Sequence, residues 1–189
     1  MEQKREIRRI LLQKRNTLTS EQCKKYSKMI TERILSSKQY LSADYLLIYL
    51  SYQNEVSTYD IINHAFKVGK RVFCPKVLGK GIMEFYEIFS LEDTSVGFKN
   101  IPEPKQTTFP YPQHSGPGKI LMIMPMVGFD IYHNRMGYGG GFYDRYAERF
   151  PYIARIGLAF ECQKSEKELP CEKTDVKADW IVTEKMCYF

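Results

Sequence analysis

The sequence predicts an α/β fold whose sheet is mainly parallel and covered by helices on both sides. Two observations predict it. Apolar runs of strand length alternate with segments of helical period along almost the whole chain. The 189 residues are also 43% hydrophobic and 14% aromatic, enough to bury a substantial core. No internal repeat and no interior linker divides them. One domain over residues 1–189 is therefore expected, with the basic helical segment 1–36 packed on the α/β core.

The elements follow in order. Glu2 to Asn16 carries Ile7, Ile10 and Leu11 at helical spacing. Thr19 with Gln22 three residues on is a capping-box pattern, opening a second helix through about Ser36. Asp44 to Leu50 reads as a buried strand. Ser57 is positioned to cap a helix that ends at Gly69. Arg71 to Cys74 is the next strand, stopped by Pro75, and Met83 to Ile88 another. Gly97 to Gly118 holds five prolines and reads as a long irregular excursion of the kind that often carries function. Ile120 to Met124 is a buried strand closed by Pro125. A helix from Phe142 to Phe150 places Tyr143, Tyr146, Ala147 and Phe150 on one face. Ile153 to Phe160 and Trp180 to Thr183 are the last strands.

Composition narrows the function. The longest apolar stretches, Tyr45–Leu50 and Ile120–Phe129, fall well short of the roughly 20 residues a membrane helix needs. The N-terminus is charged from residue 2 and shows no secretory segment, so a soluble cytoplasmic protein is expected. Cys23, Cys74, Cys162, Cys171 and Cys187 are scattered without metal-site or redox spacing and read as free thiols. His64, His114 and His133 are isolated from one another, and His64 reads as ordinary helix filling. The net charge of +6 lies entirely in residues 1–33, with ten Lys/Arg against four Asp/Glu; the remainder balances at 18 of each. Such a segment suits a polyanion or a solvated helical face.

The chemistry concentrates in Arg135-Met-Gly-Tyr-Gly-Gly-Gly-Phe-Tyr-Asp-Arg145. Four of the five residues Gly137 to Gly141 are glycine, and they open a helix. Backbone N–H groups there point into a concavity at a helix N-terminus, a ready anion site. One terminus favours a negative charge by only about 0.3–1 kcal/mol. A triphosphate therefore needs more cations, and Arg135 and Arg145 flank the loop. The spelling is neither a dinucleotide fingerprint, which would need glycine at Phe142, nor a Walker A loop. A tight turn without a ligand is the plain alternative. Asp144, in the first helical turn, either complements the helix dipole or holds Mg²⁺ beside a triphosphate. Asp179, before the Trp180 strand, is a candidate second carboxylate or a solvated loop acid.

With these residues in view, the chain resembles the 5-formyltetrahydrofolate cyclo-ligase (5,10-methenyltetrahydrofolate synthetase) family over nearly its full length. The most specific match is Met124-Pro-Met-Val-Gly-Phe-Asp130 followed by Asn134 to Arg145. Supporting pieces are Lys4-Arg-Glu-Ile-Arg8, Leu50-Ser-Tyr-Gln-Asn-Glu55, Ile101-Pro-Glu-Pro104, Leu158-Ala-Phe160 and Asp175-Val-Lys-Ala-Asp179. Phe142 stands where tyrosine is more usual.

The resemblance implies a three-layer α/β/α fold and an ATP- and Mg²⁺-dependent conversion of 5-formyltetrahydrofolate to 5,10-methenyltetrahydrofolate. By position it implies ATP contacts from Lys4, Arg5, Glu6, Ile7 and Arg8 and from Arg135, Met136, Gly137, Tyr138, Gly139, Gly140, Gly141, Phe142 and Tyr143. Lys4 and Arg8 are four apart, so they share a helical face. The folate would meet Leu50, Tyr52 and Glu55, with Tyr138 to Phe142 bordering it. Tyr143 and Arg145 take catalytic positions, and Asp144 and Asp179 the Mg²⁺ positions. The expected partner is the folate, polyglutamated or not, on a monomer without nucleic acid or membrane. Two rival functions stay open: a basic nucleic-acid-binding protein, and a sugar-phosphate isomerase or transferase on a similar fold.

Overall fold

The computed structural model describes residues 2–79, 81–111 and 118–189; His114 and the part of the 97–118 excursion at 112–117 lie outside them. The chain opens with α1 (Glu2–Asn16) and α2 (Ser20–Ser36). The capping box before α2 is formed: Gln22 N donates to Thr19 Oγ1 at 3.1 Å, and Thr19 N donates to Gln22 Oε1 at 2.9 Å. A short α3 (Lys38–Ser42), which the sequence pattern did not signal, is capped by Ser37 and leads into β1 (Tyr45–Ile48). Then come α4 (Tyr59–Lys67), β2 (Arg71–Gly79), β3 (Ile82–Ile88), β4 (Thr94–Val96), β5 (Pro102–Pro104) and β6 (Ile120–Pro125). The hairpin β7 (Gly128–Phe129) and β8 (Arg135–Met136) precedes α5 (Phe142–Arg149). β9 (Ala154–Leu158), β10 (Trp180–Val182) and β11 (Cys187–Tyr188) complete the order.

Seven strands form the central sheet in the order β11-β10-β9-β6-β1-β2-β3. The five inner strands are mutually parallel, and β3 and β11 are antiparallel edges. Alternate residues feed the two faces. Leu46 and Ile48 join Ile30 and Ile34 of α2 and Ile61 and Ile62 of α4, whereas Tyr45 and Leu47 join Phe73, Met122 and Tyr146 of α5. This is the expected α/β arrangement of helices on both faces of a mainly parallel sheet. A third cluster, Leu11 with Val127, Met136 and Leu169, seats α1 against the β7–β8 hairpin, beyond the carboxyl end of β6. Among the described residues no helix is long and apolar enough to cross a membrane.

Three local expectations are corrected. Thr58, not Ser57, is the N-cap of α4, and its side chain makes no capping bond: the hydroxyl accepts from Ser51 N at 3.3 Å and donates to Tyr49 O at 2.7 Å. Pro75 does not stop β2. Pairing with β1 ends at Phe73, so the missing N–H of Pro75 faces no neighbour there, while the other edge continues pairing with β3 through Gly79. The 97–118 excursion is not wholly irregular. It includes β5, which pairs with β4 and whose Glu103 Oε1 accepts from Val77 N at 3.1 Å. His64 is helix filling as expected, with Nδ1 2.8 Å from the Tyr40 hydroxyl.

Candidate active site

Chain order reverses between β1 and β6: β2 and β3 extend the sheet one way, β9, β10 and β11 the other. Ligands of open α/β sheets bind outside the carboxyl ends of the strands at such a switch point. Two loops emerge there. The loop after β1 is folded on itself by Thr58 N donating to Ser51 Oγ at 3.2 Å and Tyr49 Oη donating to Val56 O at 2.8 Å. It carries Leu50, Tyr52 and Glu55. The segment after β6 is built around buried Asp130. That carboxylate accepts from Tyr132 N, Asn134 N, Asn134 Nδ2 and Leu169 N at 2.7–3.0 Å, and so directs the chain into Arg135.

The glycine loop closes the site. Gly139 (φ 94°) and Gly141 (φ 62°) occupy left-handed backbone that other L-residues adopt at a cost, and Gly141 is the N-cap of α5. A Cβ at Gly140 would lie 2.7 Å from the Phe142 ring. Arg8 Nε of α1 donates to Gly137 O at 2.8 Å, and its guanidinium lies 3.4 Å from where a Cβ on Gly139 would stand. Arg145 donates to Gly140 O and, at 2.9 Å, to Gly81 O, tying the β2–β3 hairpin to the loop. The Arg135 side chain is 4% exposed, and its Nη2 donates to Asp144 Oδ1 at 2.6 Å. Its Nε has no partner among the described residues.

Below the loop runs a second chain of contacts. Tyr138 Oη donates to Glu55 Oε1 at 2.6 Å and accepts from Arg15 Nη1 at 2.7 Å. Glu55 Oε2 accepts from Tyr52 N at 2.9 Å. Burial pushes the Glu55 carboxyl up, against the lowering pull of Tyr138, the Tyr52 N–H and Arg15. Burial and the Glu55 charge likewise raise the Tyr138 phenol. One end of the sheet thus gathers two half-buried arginines, Arg8 and Arg135, a glycine loop at a helix N-terminus, and a carboxylate backed through Tyr138 by buried Arg15. That combination suits a polyanion beside a hydrogen-bond-donating ligand.

Residues 1–184 match the model of the 5-formyltetrahydrofolate cyclo-ligase family. The chain belongs to this family. Its relatives named 5-formyltetrahydrofolate cyclo-ligase include the mouse protein, 31% identical over 192 residues that cover 96% of this chain and 93% of that one. The Escherichia coli K12 protein is 29% identical over 181 residues, covering 92% and 96%. Among solved structures, the Aquifex aeolicus 5,10-methenyltetrahydrofolate synthetase superposes with a TM-score of 0.83 at 28% identity, over 97% of this chain and 91% of that one. The Mycoplasma pneumoniae synthetase shares the fold, with a TM-score of 0.75 at 23% identity over 96% and 98%.

The cyclo-ligase motif residues fall into three groups in space. Arg8, Arg135, Met136, Gly137, Tyr138, Gly139, Gly140, Gly141, Phe142, Tyr143, Asp144 and Arg145 surround or form the glycine loop. Met136 points into the core against Leu11, and Arg135 lies over the Tyr143 ring at 5.8 Å. Glu55 reaches this group through Tyr138, while the Leu50 side chain is buried in the main core and Tyr52 contributes its N–H. The third group stands apart. Lys4 pairs with Asp175 at 2.6 Å and Glu172 at 2.9 Å, Arg5 is exposed, Glu6 pairs with Arg9, and Ile7 packs beside Leu11.

The two candidate metal carboxylates differ. Asp144 Oδ1 takes Arg135 and Val176 N, leaving Oδ2 without a hydrogen bond among the described residues. Both oxygens of Asp179 are held by Arg155. No group of three or more His, Cys, Asp or Glu side chains is arranged for a metal among the described residues. Arg15 and Asp130 were missed by sequence reasoning. Asp130 lies inside the quoted motif and was open to notice, but nothing local distinguishes Arg15 from the other basic residues of α1.

Proposed function

We propose that the chain catalyses the ATP-dependent conversion of 5-formyltetrahydrofolate to 5,10-methenyltetrahydrofolate, with release of ADP and phosphate. The observation that carries this reading is the convergence of Arg8, Arg135 and the glycine loop on the same switch point as Glu55, in a member of the cyclo-ligase family. The formyl oxygen is a weak leaving group. Transfer of the terminal phosphoryl group onto it leaves ADP and an electrophilic carbon at N5. N10 attacks that carbon, loses its proton and closes the five-membered ring. The C–O bond then breaks with its electrons leaving on phosphate.

The protein's part is positioning and charge neutralisation. The N–H groups of Gly139 to Phe142, at the start of α5, face the phosphates, supported by Arg8 and by Arg135 with its unused Nε. Arg145 and Tyr143 stand beside the transferring group, Arg145 holding the loop carbonyl in place. Lys4 reaches the phosphates once it leaves Asp175. Glu55 accepts from the donor edge of the pterin, and Tyr52 borders the ring. Mg²⁺, when bound, would offset phosphate charge. Asp144 fits it through the open Oδ2, and Asp179 would join only by releasing Arg155. We assign the enzyme to the cytoplasm, as a monomer of one domain acting on folates with one glutamate or several.

The basic N-terminus does not favour a nucleic-acid surface. Four of the six cations of α1, Lys4, Arg8, Arg9 and Arg15, are engaged by groups of this chain. The deciding experiment mixes the protein with Mg-ATP and 5-formyltetrahydrofolate and follows the near-ultraviolet absorbance of the methenyl product. Growth of that band only when ATP is present is the expected result. Its absence from well-folded protein refutes the reading, and a sugar-phosphate isomerase would give none.

A further inference from the structure

We infer that Arg15 is a positioning residue for folate recognition: through the Tyr138 hydroxyl it orients Glu55 and keeps its carboxylate ionised, joining the helix that faces ATP to the loop that faces the folate. The identity of the ligand rests on the proposed function; the relay itself rests on geometry alone.

Arg15 occupies the last turn of α1, 4% exposed, with Nε lacking a partner among the described residues. A guanidinium only donates. Because Arg15 Nη1 fills an acceptor position on the Tyr138 oxygen, the single phenolic proton is committed to Glu55 Oε1. Glu55 must then accept at that oxygen, while Oε2 accepts from the Tyr52 N–H. Both interactions favour the ionised carboxylate and fix its plane. Lone pairs remain on each oxygen for a ligand with paired N–H donors.

Charge points the same way. The groups whose charges act on or with Glu55 are Tyr49 after β1, Tyr59 of α4, Tyr138 of the glycine loop, Tyr143 of α5 and Arg15 of α1. Four of these are phenols, and Arg15 is the cation among them. Burial alone would favour a protonated Glu55, which presents a donor where the ligand also presents donors. A protein selected only for stability gains little from an arginine whose buried Nε goes unbonded. Holding a carboxylate ready for a ligand explains its presence.

The test uses the full chain carrying Arg15→Met, Arg15→Lys or Tyr138→Phe, with ¹³C-labelled glutamate and the Glu55 resonance identified by loss in Glu55→Gln. Arg15→Met should raise the Glu55 titration midpoint by about one pH unit, the low end of what a nearby opposite charge supplies. Tyr138→Phe, which removes only a hydroxyl, should move it in the same direction, and Arg15→Lys should recover part of the shift. In Arg15→Met the acid limb of kcat/KM for 5-formyltetrahydrofolate should move with Glu55, while KM for ATP stays within about twofold. An unchanged midpoint in both Arg15→Met and Tyr138→Phe overturns the inference. So does an equal rise in KM for ATP and folate without a shift in the acid limb, the signature of a purely structural residue. The resonance reads the relay without turnover, so a wild-type protein that forms no methenyl product refutes the proposed function and leaves the relay separately decided.

Discussion

Replacing Asp144 with asparagine removes one charge from the glycine-loop site while nearly preserving shape. Asp144 Oδ1 lies 2.6 Å from Arg135 Nη2, and Arg135 is 4% exposed with its Nε already unbonded among the described residues. Removing one partner of a fully buried pair costs about 3–5 kcal/mol. Asp144 is 20% exposed, and the amide oxygen of asparagine can still accept from Arg135, so a loss of about 2 kcal/mol is expected. For a chain of this size that is a fall in Tm of about 4–8 °C. The variant also leaves a buried guanidinium seeking an anion. ATP without metal should therefore raise the Tm of Asp144→Asn more than that of wild type. If Oδ2 holds Mg²⁺, the concentration needed for half-maximal methenyl formation should rise roughly tenfold, a loss of about 1.4 kcal/mol of binding. The assays are a thermal melt with and without ATP and a Mg²⁺ titration of turnover. A Tm within about one degree of wild type, together with an unchanged Mg²⁺ requirement, would remove Asp144 from both roles.

The glycines give a second prediction: Gly141→Ala, at φ 62° with its Cβ 2.7 Å from Arg145 Nη1, should cost about 1–2 kcal/mol of stability and weaken ATP binding further. Normal ATP affinity in a folded Gly141→Ala or Gly140→Ala protein would mark the loop as a simple turn. Arg8→Ala should raise KM for ATP about tenfold or more, Lys4→Ala less because Lys4 also pairs with Asp175 and Glu172, and Lys24→Ala plus Lys25→Ala not at all. Equal effects from the Lys4/Arg8 and Lys24/Lys25 pairs would sink the assignment. The Lys4–Asp175 pair also fixes a pH dependence. Burial opposes ionisation of both groups, but their mutual hydrogen bond and the Glu172 contacts outweigh it, lowering the Asp175 carboxyl and raising the Lys4 ammonium. The stabilisation is then present above the unfolded carboxyl value near pH 4, lost progressively as pH falls from there through the lower folded value, and lost again as pH rises from about 10.5 through the higher folded value of Lys4. Both groups are partly exposed, so Asp175→Asn should lower Tm by only about 1–3 °C between pH 5 and 9. A gap that does not shrink as the pH is lowered from 5 would contradict this.

Much of the molecule could be read in one dimension because the physics there is local. The Thr19–Gln22 capping box involves residues three apart, and the helical period of Glu2 to Asn16 and the glycine run before α5 are fixed by neighbours in the chain. Those features, with the family motif, were enough to give the fold and to single out the glycine loop. What the sequence could not settle is which side chains meet across the sheet's carboxyl end. Ser57 and Thr58 are equally good caps in one dimension; the fold starts α4 after Thr58 and turns its hydroxyl to Tyr49 O instead of the helix. Pro75 reads as a stop until the sheet shows that β1 has already ended beside it. Asp144 and Asp179 look alike as carboxylates, yet Arg135 leaves one oxygen of the first open and Arg155 occupies both of the second. Arg15 and Tyr138 are 123 residues apart, and Tyr138 and Glu55 are 83. Hydrogen bonds over such separations have no periodic or compositional trace, because folding, not chain proximity, supplies the encounter. The sequence determined the layers and the loop; the closure of α1 and the β1 loop around Tyr138 decided which arginine stands behind the Glu55 carboxylate.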